Sequence, residues 1–496
     1  MTKKTVRAAG SGLRITAEQL APRDAVFVYD EFDRHPSNIV AAYVFESPSG
    51  PISRAQVRAW MRERLGCSPL FHRRLERLPG DLDLPYWVPD SEFDIDDHVT
   101  LEGRAPQSWP AVRDRMAEIA GARMDLTRPP WELHVFDGVT GFPDTSAPVA
   151  VVVLKFHHSV GDGVATRELE LKLFGTDGEH PPLLAVEDGW SASGAAVRAA
   201  AVLPYRCARF VGGVLRTRAA AGTVRARVAD DLLHEPESLR PATRFNSRIT
   251  PALIFDLVTV PLSEVRAAKE AFTERVTIND LLLTVVAGAL RTYLAERDEV
   301  PAATLAAMVP ISMRGIAQWN SANQLCQMSV DLHTDLHDPV SRLRAIRGSA
   351  EREKQRYRDD AVIVREGRMQ TSPSWLLRLA GWARSQRAFD QVDTVPLTNT
   401  TISNVPPVAT RLEFLGAPAV TVFGVLPIMD GDGLRHLITS QGDQLVIAFS
   451  SDAAMLPDPQ HYGDLLVRSL RELTAAIRAE RLVIHSEGEQ RSVGAE

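Results

Sequence analysis

Two adjacent histidines followed by an Asp-Gly pair form the most distinctive polar motif of this chain. The segment KFHHSVGDG, residues 155–163, comes directly after the apolar run VAVVVL. Its residue types suit three roles. A neutral imidazole can accept a proton from a hydroxyl, amine or thiol near neutral pH, histidine and aspartate together can bind a metal ion, and a polar turn can simply end a buried strand. The motif alone leaves all three open.

Strand geometry weakens the metal-site hypothesis. Successive side chains at a strand end point in opposite directions, so His157 and His158 cannot easily bind one ion together. The same alternation lets one histidine face a crevice while its neighbour packs inward. No Ser or Cys lies in a nucleophile-elbow pattern, so direct transfer without a covalent acyl-enzyme is the simpler mechanism. Asp162 is expected to hold the loop. A buried carboxylate needs a cationic partner, and Arg73 and Arg74 are the candidate partners of Asp162.

A strand and a helix must position this motif. The continuous β-branched run at residues 149–156 predicts a central strand with both faces buried. After the turn, apolar side chains recur every four positions from residue 164 onward, which predicts a helix that ends at Gly175. Ligands commonly bind at such strand-to-helix junctions, because loop side chains there project into a crevice. The motif is therefore well placed for catalysis.

A second wall of the site is expected far downstream. Residues 253–260 predict a strand, and the apolar helix after it begins with Thr277 and Asp280 in a capping-box pattern. Asn279 and Asp280 therefore lie at a helix N-terminus, where capping alone would explain them. Three later segments predict a meander of strands joined by tight turns, at residues 420–428, 434–442 and 444–452. The DGDG turn between the first two lacks the ligand pattern of a calcium loop.

An arginine-rich segment separates the two halves. Between Val197 and Ala229 the chain has seven arginines and no acidic residue. This composition predicts a helical connector, which Pro204 and the Gly212–Gly213 pair should break into shorter pieces. The connector is either a solvated inter-domain helix or a contact with an anionic membrane. The predicted organisation is an N-terminal half at 1–190 carrying HHSVGDG, a connector at 191–240 and a C-terminal half at 241–496.

Composition restricts the class of protein. The 496 residues are 45% hydrophobic and 24% charged, an ordinary composition whose length suits two or three domains. The irregular alternation of predicted strands and helices suggests an α/β fold with a mixed sheet. A net charge of -7 argues against nucleic acid as a partner. Three widely spaced cysteines favour a reducing compartment, no secretory signal is evident, and no apolar run approaches the roughly 18 residues of a membrane span. The predicted location is cytoplasmic, with peripheral contact at the inner membrane face left open.

The ordered set of motifs resembles a known family. HHSVGDG resembles the HHxxxDG motif of coenzyme A-dependent acyltransferases and condensation domains, and the chain looks like a bacterial wax ester synthase/diacylglycerol acyltransferase. The Asn-Asp of TIND and the Ser-Asn-Val-Pro of TISNVPP distinguish this family from condensation domains. The chain departs from the family pattern at His72, Pro130 and Pro407–Val408. These departures lie near the expected entry wall of the site, so they bear on which acceptor the protein would prefer. The segments that carry the resemblance are PRDAVFVYDE, PLFHRRL, PYWVPDSEFDIDDHV, MDLTRPPWELHVFDG, HHSVGDG, VTINDLLLTVVAGALR, MVPISMR, TTISNVPP, GVLPIMDGDGL and MLPDP.

The resemblance implies two chloramphenicol-acetyltransferase-like α/β halves with mixed sheets and an interfacial tunnel. It also implies transfer of a long-chain fatty acyl group from acyl-CoA to diacylglycerol or a long-chain alcohol, with no cofactor besides the acyl-CoA co-substrate. His158 would be the general base, His157 would support the site and Asp162 would be mainly structural. The residues that would shape the second wall or stabilise developing charge are Gly163, Asn279, Asp280, Ser403 and Asn404.

Two other functions remain compatible with this sequence. A condensation-type acyltransferase would take its acyl group from a carrier-protein thioester instead of acyl-CoA. A non-catalytic protein that has kept the fold would bind lipid or contact a lipid droplet without forming an ester. The sequence does not indicate acyl chain length, the oxyanion donor or the oligomeric state.

Overall fold

The computed structural model describes residues 13–493 except 49, 177–181, 187–188, 391 and 406–410. The strands in chain order are β1 (Leu13–Ile15), β2 (Glu18–Gln19), β3 (Asn38–Glu46), β4 (Arg73–Glu76), β5 (Tyr86–Pro89), β6 (Val99–Glu102), β7 (Gln107–Ser108), β8 (Trp131–Thr140), β9 (Val149–His157), β10 (Leu183–Val186), β11 (Leu239–Pro241), β12 (Leu253–Pro261), β13 (Ala306–Ser312), β14 (Leu325–Asp331), β15 (Thr394–Pro396), β16 (Thr400–Asn404), β17 (Glu413–Phe414), β18 (Ala417–Val425), β19 (Leu434–Gln441) and β20 (Gln444–Asp452). The helices are α1 (Pro22–Tyr29), α2 (Arg54–Arg64), α3 (Trp109–Gly121), α4 (Gly163–Phe174), α5 (Ala192–Ala229), α6 (Leu262–Ala271), α7 (Ile278–Ala295), α8 (Pro339–Arg356), α9 (Asp360–Glu366), α10 (Ser374–Ser385) and α11 (Pro459–Val493).

Two mixed sheets form the two halves, as the sequence predicts. The first sheet has the order β17-β18-β3-β9-β8-β6, with β7 also pairing with β8. The second has the order β12-β20-β19-β16-β13-β14. In each sheet antiparallel pairs are combined with parallel ones, at β6–β8 in the first sheet and at β13–β16 and β16–β19 in the second.

The central strand β9 shows why its sequence is continuously apolar. Every residue from Val149 to His157 is buried. Val152 and Leu154 enter the core beneath α2 and α4. Val151 and Val153 enter a different core, which also contains side chains of β12 and β20 from the second sheet. Both faces of β9 are therefore covered, and the second face joins the two halves through shared apolar packing.

The predicted meander near the C-terminus is wrong in one respect. All three of its strands exist, but β18 pairs antiparallel with β3 of the first sheet instead of with β19. The sequence division at 241–496 therefore fails at Glu413–Val425, because β17 and β18 leave the second half and complete the sheet of the first. Sequence alone gives strand positions but does not choose between neighbours in two adjacent sheets.

The connector is one long helix, not the series of short pieces predicted. Helix α5 runs from Ala192 to Ala229 with Pro204 inside it. A Cβ at Gly213 would overlap the side chain of Thr371, so this glycine permits close packing of α5 on the segment before α10. Tertiary packing thus outweighs the low helix propensity of Pro204 and Gly213.

One of the described helices, α7, has the length and apolar composition of a membrane span, although the sequence analysis expected none. Its 18-residue window has a mean hydropathy of 1.3, and 72% of that window is buried inside the protein. Helices α8 and α11 pack against it. Burial against these helices and the second sheet accounts for its apolar composition without a membrane.

Candidate active site

His158 lies in a short 3-10 turn that directly follows β9. Its N–H donates to the carbonyl of Ser37 at 2.7 Å, and its carbonyl accepts from Asn323 Nδ2 at 2.9 Å. The imidazole stacks on the ring of Phe27, with centroids 4.1 Å apart and an interplanar angle of 8°. The main chain and the ring of His158 are therefore both held in place, the ring by an aromatic side chain that the sequence analysis did not identify.

Burial favours the neutral form of the His158 imidazole. It lowers the pKa of this histidine, and the carboxylates of Asp162 and Asp24 oppose the shift only in part. Nδ1 is buried and has no hydrogen-bond partner among the described residues. The side chain as a whole is half-buried, so Nε2 is the nitrogen left to accept a proton from a ligand.

His157 has a different environment from its neighbour, as strand alternation predicts. It is fully buried, and its Nδ1 lies 2.6 Å from Ser159 Oγ and accepts from the Ser159 N–H at 3.2 Å. Its Nε2 lies 3.7 Å from Glu31 Oε1. Burial lowers the pKa of His157 to about 3. The chemistry of a neutral, enclosed ring suits support of the turn better than proton transfer with a ligand.

Asp162 is fully buried and pairs with Arg314, not with Arg73 or Arg74. Its Oδ2 accepts from Arg314 Nη1 at 2.8 Å and from the Gln324 N–H at 2.9 Å. Its Oδ1 accepts from the first N–H groups of α4. The predicted partner was wrong because Asp162 faces the second half of the chain as it caps α4.

The two rejected arginines have other partners in the first half. Arg73 pairs with Glu18 at 2.9 Å, and Arg74 pairs with Glu76 on its own strand. Arg314 is the last residue of the segment MVPISMR, which carries part of the family resemblance. Its position after an apolar strand could have suggested a role in the site, but nothing in the sequence connects it to a residue 152 positions earlier.

A second buried carboxylate, Asp24, holds the loop that contacts His158. Asp24 Oδ1 accepts from the N–H and the Nδ2 of Asn323, both at 2.9 Å, and from Ser321 Oγ at 2.7 Å. Asn323 in turn donates to the carbonyl of His158, and Gln324 donates to Asp162. The loop at 321–324 therefore links α1, the histidine turn and α4. Asp24 and Phe27 lie in the segment PRDAVFVYDE, which carries part of the family resemblance, but no pattern in the sequence marks either residue for a role in the site.

The downstream motifs form a second cluster. Asn404 Nδ2 lies 3.4 Å from Asn279 Oδ1, which brings the end of β16 to the N-terminus of α7. Asp280 caps α7, because its Oδ2 accepts from the Thr277 N–H at 2.8 Å while its own N–H donates to Thr277 Oγ1. Ser403 precedes Asn404 on β16 and is half-buried. Capping accounts for Oδ2 of Asp280, as the sequence allowed, whereas its buried Oδ1 has no hydrogen-bond partner among the described residues.

The two clusters approach each other at Gly163. A Cβ at this position would lie 4.0 Å from Val405 Cγ2, one residue beyond Asn404. The start of α4 and the end of β16 are therefore neighbours across the two halves. Pro407 and Val408, where the chain departs from the family pattern, lie outside the described residues.

A cavity of about 1050 Å³ lies beside the histidine turn. This volume is at the upper end of the ~300–1,000 Å³ typical of small-molecule sites. Ser159, Val160 and Asp24 line it next to His158, while Phe210 and Trp375 line it from α5 and α10. The connector helix α5 therefore forms one wall of the cavity. Arg206 on that wall forms an ion pair with Asp83.

Two family models match the chain. The model of the wax ester synthase/diacylglycerol acyltransferase catalytic domain matches residues 20–282, and that of the C-terminal domain of the same family matches residues 321–474. A protein of Mycobacterium tuberculosis strain H37Rv, which carries the provisional name diacylglycerol O-acyltransferase, is 30% identical over 92% of this chain and 100% of its own.

Solved structures with the same fold include enzymes of more than one class. The wax ester synthase/diacylglycerol acyltransferase from Marinobacter aquaeolei VT8 matches with a TM-score of 0.63 and 24% identity, over 93% of this chain and 100% of that one. Trichothecene 15-O-acetyltransferase from Fusarium sporotrichioides matches with a TM-score of 0.55 and 11% identity, over 93% and 96%. These likenesses confirm the predicted two-half α/β fold. By its matches over both halves, the chain belongs to the wax ester synthase/diacylglycerol acyltransferase family of acyltransferases.

Proposed function

We propose that this acyltransferase moves a long-chain fatty acyl group from acyl-CoA to the hydroxyl of diacylglycerol or of a long-chain alcohol, with His158 as general base. The observation that carries the proposal is the placement of His158: Phe27 stacks on its imidazole and Asn323 holds its main-chain carbonyl, in a turn beside a cavity of about 1050 Å³. A base that is neutral near pH 7 can accept the hydroxyl proton as the new bond forms.

The chemistry proceeds in two steps. Nε2 of His158 takes the proton of the acceptor hydroxyl while the oxygen attacks the thioester carbonyl carbon, which forms a C–O bond and places negative charge on the carbonyl oxygen. The C–S bond then breaks, and the thiolate of coenzyme A takes the proton back from the imidazolium. The products are an ester and free coenzyme A. Acyl-CoA brings the activated carbonyl, so the proposed reaction needs no further cofactor.

The negative charge on the carbonyl oxygen requires a hydrogen-bond donor. Asn404 is the residue we assign to this role, with Asn279 as the residue that orients it. Asn404 Nδ2 contacts Asn279 Oδ1 through one of its two hydrogens, which leaves the second free to donate. The supporting argument is this pairing, together with the position of Val405, the residue after Asn404, 4.0 Å from where a Cβ of Gly163 would lie.

The decisive assay supplies the purified protein with palmitoyl-CoA and a panel of acceptors, and identifies the products by mass. Triacylglycerol, wax ester or both are expected. Turnover only with an acyl carrier protein thioester would replace this function by a condensation-type transfer. Lipid binding with no ester from either donor would show a non-catalytic lipid-binding protein.

A further inference from the structure

Helix α10 exposes an apolar face that nothing in the described part of the protein covers. Trp375, Leu379 and Trp382 lie at i, i+4 and i+7, so they form one stripe of the helix. Their exposed fractions are 54%, 52% and 60%. Isolated apolar side chains on a surface are normal, but a stripe with two tryptophans is typical of a surface that meets a partner or a membrane.

The opposite side of α10 is fixed close to the histidine turn. Leu377 and Gly381 are buried, and a Cβ at Gly381 would overlap the carbonyl oxygen of Tyr29 in α1. Helix α1 also carries Phe27, which stacks on His158. The exposed stripe is therefore the outer side of a helix that packs directly against the element holding the imidazole.

The surroundings of the stripe are basic in an acidic protein. The chain as a whole has a net charge of -7, but α5 contains seven arginines and residues 367–389 contain four, with no Asp or Glu in either segment. The two segments touch, since the rings of Phe210 and Trp375 are 6.3 Å apart and Arg209 donates to the carbonyl of Gln370. Side chains of Arg378 and Arg384, on α10 itself, pair with the less exposed carboxylates of Asp81 and Asp30 and remain 62% and 52% exposed.

The large cavity reaches the surface at the same place. Trp375 lines the cavity, and so do Tyr205 and Val211 of α5, which are 69% and 55% exposed. Ser159, next to His158, lines the same cavity and is buried. The cavity thus extends from the catalytic turn to an apolar rim that is continuous with the stripe on α10.

We propose that the stripe of α10 docks on an anionic lipid bilayer, and that the lipid acceptor enters the cavity from that bilayer through the apolar rim. Charge selects this occupant: exposed arginines on two touching segments that contain no Asp or Glu attract anionic headgroups, and tryptophan favours the interface between headgroups and acyl chains. The identity of the cargo as a lipid acceptor rests on the proposed function, whereas the docking itself does not. The sequence left the connector arginines open between a solvated helix and a membrane contact; here Arg206 is held by Asp83, and α10 is the principal contact.

The test is co-sedimentation of the full chain with vesicles of phosphatidylglycerol and phosphatidylcholine in equal amounts. The variant is L379S/W382S, because neither residue lines the cavity and both are exposed. The matched control is L239S/L482S, which replaces two side chains exposed to 59% and 72% on other elements. Because the variant removes two large apolar side chains from the proposed lipid contact, it should bind vesicles at least about tenfold more weakly. The control should bind like the unchanged chain.

Activity separates docking from catalysis. The variant should esterify a short-chain alcohol dissolved in water at the normal rate, but should turn over vesicle-borne diacylglycerol more slowly. Docking on lipid is refuted if the variant binds vesicles as well as the unchanged chain does. It is also refuted if the unchanged chain binds no vesicles and light scattering shows a dimer that the L379S/W382S substitutions dissociate. If the unchanged chain binds vesicles but forms no ester from any donor, the proposed function fails while the docking stands.

Discussion

The ion pair between Arg314 and Asp162 should contribute more to stability and activity than the ion pairs of Arg73 and Arg74, the two partners that the sequence suggested for Asp162. Asp162 is fully buried, whereas the Arg314 side chain is 30% exposed. Replacing Arg314 by Gln removes one charge-assisted hydrogen bond and leaves the carboxylate with three N–H donors, from Val164, Ala165 and Gln324. A hydrogen bond to a charged group contributes ~1.5–3 kcal/mol, and loss of one partner of a fully buried pair costs ~3–5 kcal/mol.

Because three donors remain and the arginine is partly hydrated, we expect R314Q to lower the free energy of unfolding by about 2–3 kcal/mol. The matched control is R74Q, whose ion pair with Glu76 is one-third exposed on both sides and should contribute no more than about 1 kcal/mol. Urea unfolding followed by tryptophan fluorescence compares the two midpoints, and ester formation is measured on the same samples.

Activity should follow the same order. R314Q should lower kcat, because Asp162, Gln324 and Asn323 together hold the turn that carries His158, while R74Q should leave kcat unchanged. R314K, which keeps the charge, should recover part of the loss. Equal unfolding midpoints for R314Q and R74Q would refute the assignment of Arg314 as the partner of Asp162.

Three further predictions concern the histidines and the second wall. Lowering the pH from 6.5 toward 4 should reduce the free energy of unfolding. The reason is that burial lowers the pKa of His436 to about 4, so this histidine takes up a proton in the unfolded chain but not in the folded protein. H436Q should reduce the pH dependence of the free energy of unfolding by up to ~1.4 kcal/mol per pH unit, measured by urea unfolding at several pH values. F27L should lower kcat by up to about tenfold. The acid limb of its pH–rate profile should also move to higher pH, because the His158 imidazole becomes hydrated and its pKa returns toward the ordinary value. An acid limb that stays in place would contradict the stacking role of Phe27. N404A should lower kcat by ~10²–10³ with unchanged binding of acyl-CoA in calorimetry, and an equal loss for N279A alone, with N404A active, would reverse the roles of the two residues.

Much of the local structure could be predicted because it depends on short-range patterns. The buried strand before the histidines, the helix ending at Gly175 and the capping box at Thr277 are confirmed, since each follows from periodicity or from residues within one turn. His157 and His158 differ in burial as predicted, although His158 lies in the 3-10 turn beyond the end of β9 and not in the strand. The family and its fold were predicted from the order of motifs along the chain.

The parts that could not be predicted depend on contacts distant in sequence. The pairing of Asp162 with Arg314 and of β18 with β3 joins segments separated by more than 150 residues, and several candidates of equal chemical character compete for each position. Helix α5 continues through Pro204 because tertiary packing decides its course, which local propensity does not report. Phe27 was missed because an aromatic residue in an apolar helix has no pattern that marks it as a partner of an imidazole.

The general-base role of His158 is the central claim, and single-turnover ester formation by H158A tests it most directly. The variant receives palmitoyl-CoA and a long-chain alcohol, and the ester is quantified by mass. The rate should fall by ~10²–10⁴, with unchanged binding of palmitoyl-CoA and an unchanged unfolding midpoint, because the side chain is half-buried and its main-chain hydrogen bonds to Ser37 and Asn323 remain. Ester formation by H158A at the rate of the unchanged chain would contradict the account.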